Sequence, residues 1–158
     1  APRGALMSAL KQRISDEQKA AFLGGNRFRG EVLRDLLAAI LNEEVAQMKR
    51  DEGLSDEEIE KVIAREVKKR IESAQLYRQN DRIDLAEPEE QELAVLKEYL
   101  PEQLGEDDVR RAIEQIISDM GEVSMQQMGQ VIGAAKSKLG NSADGAVIAK
   151  IVKETLAN

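Results

Sequence analysis

An all-α protein is predicted by three features of the sequence. Apolar residues recur at three- and four-residue spacing over long segments, and no stretch competes with the alternation of a half-buried strand. Aromatic residues make up only 3% of the chain and Trp is absent, so the core must be built from Leu, Ile, Val, Ala and Met, which suits interlocking helices. Gly, Pro and short polar residues punctuate the apolar segments where helix caps belong. With 158 residues, 42% of them hydrophobic, the chain is long enough for a real core, either as one domain or as a medium one with a small companion. The expected arrangement is an N-terminal block of about four helices over 1–100, followed by a C-terminal three-helix bundle over 101–158.

Residues 1–5 read as an extension, and Met7 as either a start or an internal Met. The first helix is expected from near Leu6 to Leu23, with Leu10, Ile14, Ala21 and Phe22 along one side, stopped by Gly24-Gly25. Asn26 then caps a second helix carrying Phe28, Val32, Leu36, Leu37, Ile40, Val45 and Met48 to about Arg50. Gly53 breaks the pattern, and Ser55-Asp56-Glu57-Glu58 is a capping box opening a long helix with the stripe Ile59, Val62, Ile63, Val67, Ile71, Ala74 and Tyr77. On its other side, Lys61, Arg65, Lys68 and Lys69 form either a cationic rail for RNA phosphate or an exposed face laced with charge pairs to the interleaved glutamates. The fourth helix starts at Leu85 capped by Asp84, or at Pro88. Glu87, Glu89, Glu90 and Glu92 crowd its first turns, where they complement the helix dipole more naturally than they converge on a metal.

Leu93, Leu96 and Leu100 lead into Pro101, which ends this helix because proline lacks the amide hydrogen and disfavours α geometry in the residue before it. Gly105-Glu106-Asp107-Asp108 suits the positive N-terminal end of the next helix, so Tyr99 to Leu104 is a joint between two helical blocks. Beyond it, Val109, Ala112, Ile113, Ile116, Ile117 and Met120 make one short helix closed by Gly121. Ser124 and Gln127 open another, carrying Met128, Val131, Ile132 and Ala135 and ending at Leu139-Gly140. A last helix runs from around Asp144 or Gly145 through Val147, Ile148, Ile151 and Val152 to Leu156.

The formal charge of −7 argues against sequence-blind attraction to nucleic acid or anionic lipid and leaves room only for local contacts. Cys and His are both absent, which removes thiolate chemistry, disulfides, the commonest transition-metal ligand and the usual general base near neutral pH. There is no apolar run of membrane-spanning length and no signal-peptide hydrophobic region, so neither a membrane partner nor an export precursor is expected. No metal or cofactor is implied.

The candidate surface lies in the C-terminal block. Gly129 and Gly133 sit mid-helix, where each costs about 1 kcal/mol relative to Ala; they make either a smooth face for a partner or RNA strand, or tight packing against the neighbouring helix. Asn141-Ser142-Ala143-Asp144-Gly145 is a polar loop that either holds an anion, with Lys136, Lys138 and Lys150 nearby, or forms a turn in which Asp144 caps its own helix.

Tyr99 to Leu104 reads YLPEQL, and Met128-Gly129-Gln130-Val131-Ile132-Gly133 is followed by Ala143-Asp144-Gly145. Upstream, Leu33-Arg34-Asp35-Leu36-Leu37-Ala38-Ala39-Ile40 and Arg82-Ile83-Asp84-Leu85 stand in matching order. From about Leu10 to Leu156 the chain resembles the GatB/YqeY family. That resemblance implies an all-helical two-part fold whose C-terminal part is similar to the tail domain of the B subunit of tRNA-dependent amidotransferases. Those enzymes amidate Glu-tRNA(Gln) or Asp-tRNA(Asn) with glutamine as ammonia donor, and the tail helps hold tRNA. The implied partners are therefore tRNA, amidotransferase subunits or another protein, in the cytoplasm or, in a eukaryotic source, the mitochondrion. Where the family commonly has a basic residue before Ala-Asp-Gly, this chain has Asn141-Ser142, which lowers the local positive charge, and Ser137 or its neighbours replace a frequent proline. A Walker-type loop and a Cys or His nucleophile–base pair are both missing, leaving a Ser-Lys arrangement as the one formal route to catalysis. The chain is expected to lack a catalytic centre and to act as a tRNA-binding accessory module or, alternatively, a helical protein-interaction adaptor.

Overall fold

The computed structural model describes residues 8–158, so the extension at 1–5 and the expected start near Leu6 lie outside the described residues. All regular structure described is helical: α1 (Ala9–Leu23), α2 (Arg27–Ala46), α3 (Asp56–Gln79), α4 (Ile83–Lys97), α5 (Glu106–Met120), α6 (Met128–Leu139) and α7 (Gly145–Ala157), with 3-10 turns at Met125–Gln127 and Gly140–Ser142. The chain divides into two compact units, one ending at Leu100 and the other beginning at Pro101.

In the first unit, α1 packs chiefly on α2 and α3 chiefly on α4. Its core joins Ile14 of α1, Val32, Leu33, Leu36 and Ile40 of α2, Ile59, Val62, Ile63 and Val67 of α3, and Leu96 and Tyr99. Asn26 accepts the Arg29 amide, and Ser55 and Glu58 form a reciprocal capping box, as the sequence calls for; Ser8, which the sequence reading did not single out, caps α1 by accepting the Lys11 amide.

Three local expectations change. Of the expected α2 stripe, Phe28 and Val45 are 41% and 54% exposed and Met48, beyond the helix end, 92%, while Leu33 and Glu44 are buried. The helix ends at Ala46 and Met48 takes a φ of 57°, so the regular stripe stops one turn earlier than expected. Buried Glu44 is matched by Lys11 of α1 at 3.0 Å, as a buried carboxylate requires a close partner. Second, α4 begins at Ile83, before either expected start, because Asp81 with φ 56° reverses the chain and Arg82 supplies the carbonyl for the first turn. Asp84 pairs with the Arg82 guanidinium, and Pro88 is accommodated inside the helix. Third, the α4 glutamates reach across to α3: Glu92 meets Arg70 at 3.0 Å, and Glu90 meets Arg78. Cross-helix pairing therefore accounts for Glu90 and Glu92. Of the four α3 cations singled out, Arg65 pairs with Glu43 of α2 and Lys69 with Glu66 on its own helix.

The helix leading to Pro101 ends at Lys97, and Glu98, Tyr99 and Leu100 continue as tight turns with amides bonded three residues back. In the second unit, Val109, Ile113 and Ile116 of α5, Val131 and Ala135 of α6, and Ile148, Ile151 and Val152 of α7 enclose a separate core. Ser124 and Gln127 form a reciprocal capping box ahead of α6.

Candidate functional site

The expected surface residues lie on α6, the turn after it, and the start of α7. Gly129 and Gly133 are exposed, and a methyl group at either would meet nothing within 4 Å beyond its own helix backbone. Packing against a neighbouring helix is therefore not what selects these glycines. They leave a flat, open strip on the outer side of α6.

Asp144 caps α7, its carboxylate accepting the Ala146 amide at 3.1 Å and its carbonyl the Ile148 amide at 3.0 Å. One donor an anion would need at this helix end, the Ala146 amide, is thus engaged, as the turn-plus-cap reading expects of Asp144. The lysines are dispersed: the Lys136 stem lies over Gly145, Lys138 is exposed, and Lys150 is directed towards Glu106 at 3.9 Å.

One element of this surface comes from the joint. Gln103 donates its side-chain amide to the Asn141 carbonyl at 2.9 Å, and the Leu104 amide donates to the Ser142 carbonyl at 2.9 Å. Gln103 also reaches the Pro101 carbonyl at 2.8 Å. The second half of the YLPEQL segment is thereby a clamp on the turn between α6 and α7, joining two motifs far apart in sequence.

Charge is segregated here in a way the net value conceals. From Pro101 onward the chain has six basic and nine acidic residues, yet Val123 to Ala143 contains Lys136 and Lys138 and no carboxylate. Coulomb fields of exposed charges fade over about 8–10 Å at physiological salt. Within that stretch both charges are positive, with Asp144 directly after it and the end of Lys136 lying over Gly145.

A second polar assembly, missed from sequence, centres on Tyr99. Its hydroxyl donates to Glu17 at 2.6 Å and accepts from Arg29 at 2.7 Å. Arg29 also bridges to Glu98 at 2.8 Å and Glu17 at 3.2 Å, and Arg13 holds the other Glu17 oxygen at 2.9 Å. The Arg13 guanidinium sits 4.6 Å from the ring centroid and that of Arg29 5.8 Å, both within cation–π range. Burial, reinforced by the bond to Glu17, pushes the Tyr99 phenol well above its usual value, and the Tyr99 and Arg13 hydrogen bonds hold Glu17 below the usual carboxylate range. The bond to Glu98 raises Arg29 further. The only hint in the sequence was an aromatic residue at a helix end in a chain with so few.

The sequence model described as Yqey-like protein matches residues 11–156. The chain belongs to the YqeY-like family. A curated relative, "Altered inheritance of mitochondria protein 41, mitochondrial" of Clavispora lusitaniae, is 36% identical over 98 residues, covering 61% of this chain and 52% of the relative. The chain thus spans about half the length of the curated relative it matches. The family match extends across both the Tyr99 assembly and the α6–α7 surface of this YqeY-like protein. Among the described residues no helix is long and apolar enough to cross a membrane.

Two outcomes follow from this geometry. Gly133→Ala adds a methyl group in open space within a helix and should stabilise the protein by up to about 1 kcal/mol, read as a higher denaturant midpoint. Tyr99→Phe strips a partner from Glu17 and Arg29 and should cost about 1–3 kcal/mol. Because Glu17 titrates lower when folded, its contribution is present above the unfolded value of 4.5 and is lost as pH falls through the depressed folded value. Urea melts between pH 7 and pH 3 should show a shallower acid-side loss attributable to this site in Tyr99→Phe than in wild type.

Proposed function

We propose that this YqeY-like protein is a tRNA-binding accessory factor for tRNA-dependent amidation, the glutamine-using carbon–nitrogen ligase chemistry of the related amidotransferases, with no catalytic centre of its own. The observation that carries this reading is the carboxylate-free stretch of α6, in which Gly129 and Gly133 keep the helix surface open on the side that carries Lys136, with Lys138 further round the helix. A phosphate backbone approaches closely only where side chains are small, and its contacts are sequence-independent and salt-sensitive. Asn141, Ser142, Asp144 and Gly145 follow α6 and form the turn into α7, with Asp144 serving as cap and Lys150 further along α7. The chemistry would come from partner amidotransferase subunits, in the cytoplasm or, in a eukaryotic source, the mitochondrion.

A tRNA gel shift across a salt series tests this directly. Lys136→Glu with Lys138→Glu should weaken binding about tenfold or more and flatten the salt dependence by roughly one to two phosphate equivalents. Unchanged binding would remove α6 as the contact. The purified protein alone, given glutamine, ATP and mischarged tRNA, should yield no amidated product, and measurable turnover would contradict the accessory role.

A protein-interaction adaptor is the second reading, favoured by the apolar Met125 left 44% exposed just ahead of α6. It would be preferred if wild type fails to shift tRNA at physiological salt and Gly133→Phe abolishes binding to amidotransferase subunits without lowering stability.

A further inference from the structure

Both phenylalanines of the chain lie at the tip of the α1–α2 hairpin, far in sequence from the α6 strip. Residues 22–28 are exposed throughout, with Leu23 at 90%, Phe28 at 41% and Phe22 at 38%. The seating of Phe22 is specific. A methyl group on Gly30 would stand 2.9 Å from Cδ1, Cδ2 and Cε1 of that ring at once. Near-equal distances to atoms on opposite edges mean that the ring lies flat over Gly30, an approach that only glycine permits. One face of Phe22 is therefore seated on α2, which leaves the opposite face for the exposed part of the ring.

The charges within the tip itself are basic, while the acids that pair with them, Glu17, Glu31 and Glu98, stand at its edge. No carboxylate occurs between Glu17 and Glu31, whereas Lys19, Arg27 and Arg29 do. Arg29 is committed to the Tyr99 assembly. Lys19 is exposed and precedes Phe22 and Leu23 by three and four residues, which places it beside them on α1. The Arg27 side chain is 84% exposed and paired with Glu31 on the same helix at 2.9 Å, a surface pair that gives up its partner at little cost.

We propose that this hairpin tip is a second RNA contact, in which an unpaired base stacks on the outer face of Phe22 while Lys19 and Arg27 meet the flanking phosphates. An aromatic face ringed by cations is how single strands are held without sequence readout. A lipid surface fits less well, since Leu23 alone is fully projected. A second copy would face Lys19 and Arg27 with themselves across a two-fold contact. The proposal shares with the function above the premise that the ligand is RNA, but it concerns the other unit of the chain.

The test is fluorescence anisotropy of the full chain with a labelled, unstructured single-stranded RNA of about 12 nucleotides, alongside the tRNA gel shift. Phe22→Leu, which keeps an apolar cover on Gly30, should weaken oligonucleotide binding about tenfold, while Phe22→Tyr, which keeps a stacking ring, should retain it. Lys19→Glu with Arg27→Glu should produce a similar loss and a weaker salt dependence, with an unchanged thermal midpoint as the control for folding. Equal binding by Phe22→Leu and wild type would overturn the proposal. So would finding that these variants instead lose binding to anionic vesicles or lose self-association in sedimentation. If the Lys136→Glu, Lys138→Glu pair abolishes tRNA binding while the hairpin variants do not, the hairpin contact falls and the α6 reading stands. The reverse pattern sinks the α6 reading alone, and a wild-type protein that binds neither RNA sinks both.

Discussion

A buried phenol must find both a donor and an acceptor, and the way Tyr99 does so organises the first unit. Its hydroxyl lies between Glu17 of α1 and Arg29 of α2, and Glu98 beside it accepts a further hydrogen bond from Arg29. With Arg13 stacked on the ring, two cations and two anions form a neutral cluster whose members come from three separate parts of the chain. Each group would be costly to leave partly buried without its partner, so the cluster fixes the turn after α4 against the first helical hairpin. That turn is the last structure before Pro101. The position of the joint is thus set by polar satisfaction as much as by proline.

The joint has a second anchoring point further along. Gln103 and Leu104 bind the carbonyls of Asn141 and Ser142 within the second unit, so a six-residue segment serves one unit with its aromatic end and the other with its amide end. A contiguous motif in sequence is here two independent devices. The same separation holds for charge. A net value of −7 describes the molecule at a distance, but α6 with its preceding turn, and likewise the α1–α2 tip, are stretches without any carboxylate. At contact range the near charges dominate and the total matters little.

Local chemistry made much of the fold legible. Asn26, Ser55, Ser124 and Asp144 cap the helices that follow them because a side-chain oxygen beside orphan amides acts within three residues and needs no tertiary information. The apolar stripe of α3 is buried as its spacing requires. Failures occurred where the outcome depended on what stood opposite. Val45 has the spacing of a core residue, yet the helix ends one residue after it and more than half of it stays exposed. Glu44 has the chemistry of a surface residue and is buried because Lys11 reaches it from another helix. The start of α4 was misplaced because Asp81 took a left-handed conformation, which allowed the helix to open at Ile83.

The sequence by itself determined the helical class, the capping residues, the composition of the cores and the absence of thiol and imidazole chemistry, because these follow from residue type and short-range spacing. Tertiary structure alone decided that Gly129 and Gly133 face open space, that Phe22 lies flat on Gly30, and that Tyr99 unites Glu17 with Arg29. Each of these is a relation between groups distant along the chain or a property of the emptiness around them, and periodicity carries information only about the side of a helix on which a residue lies.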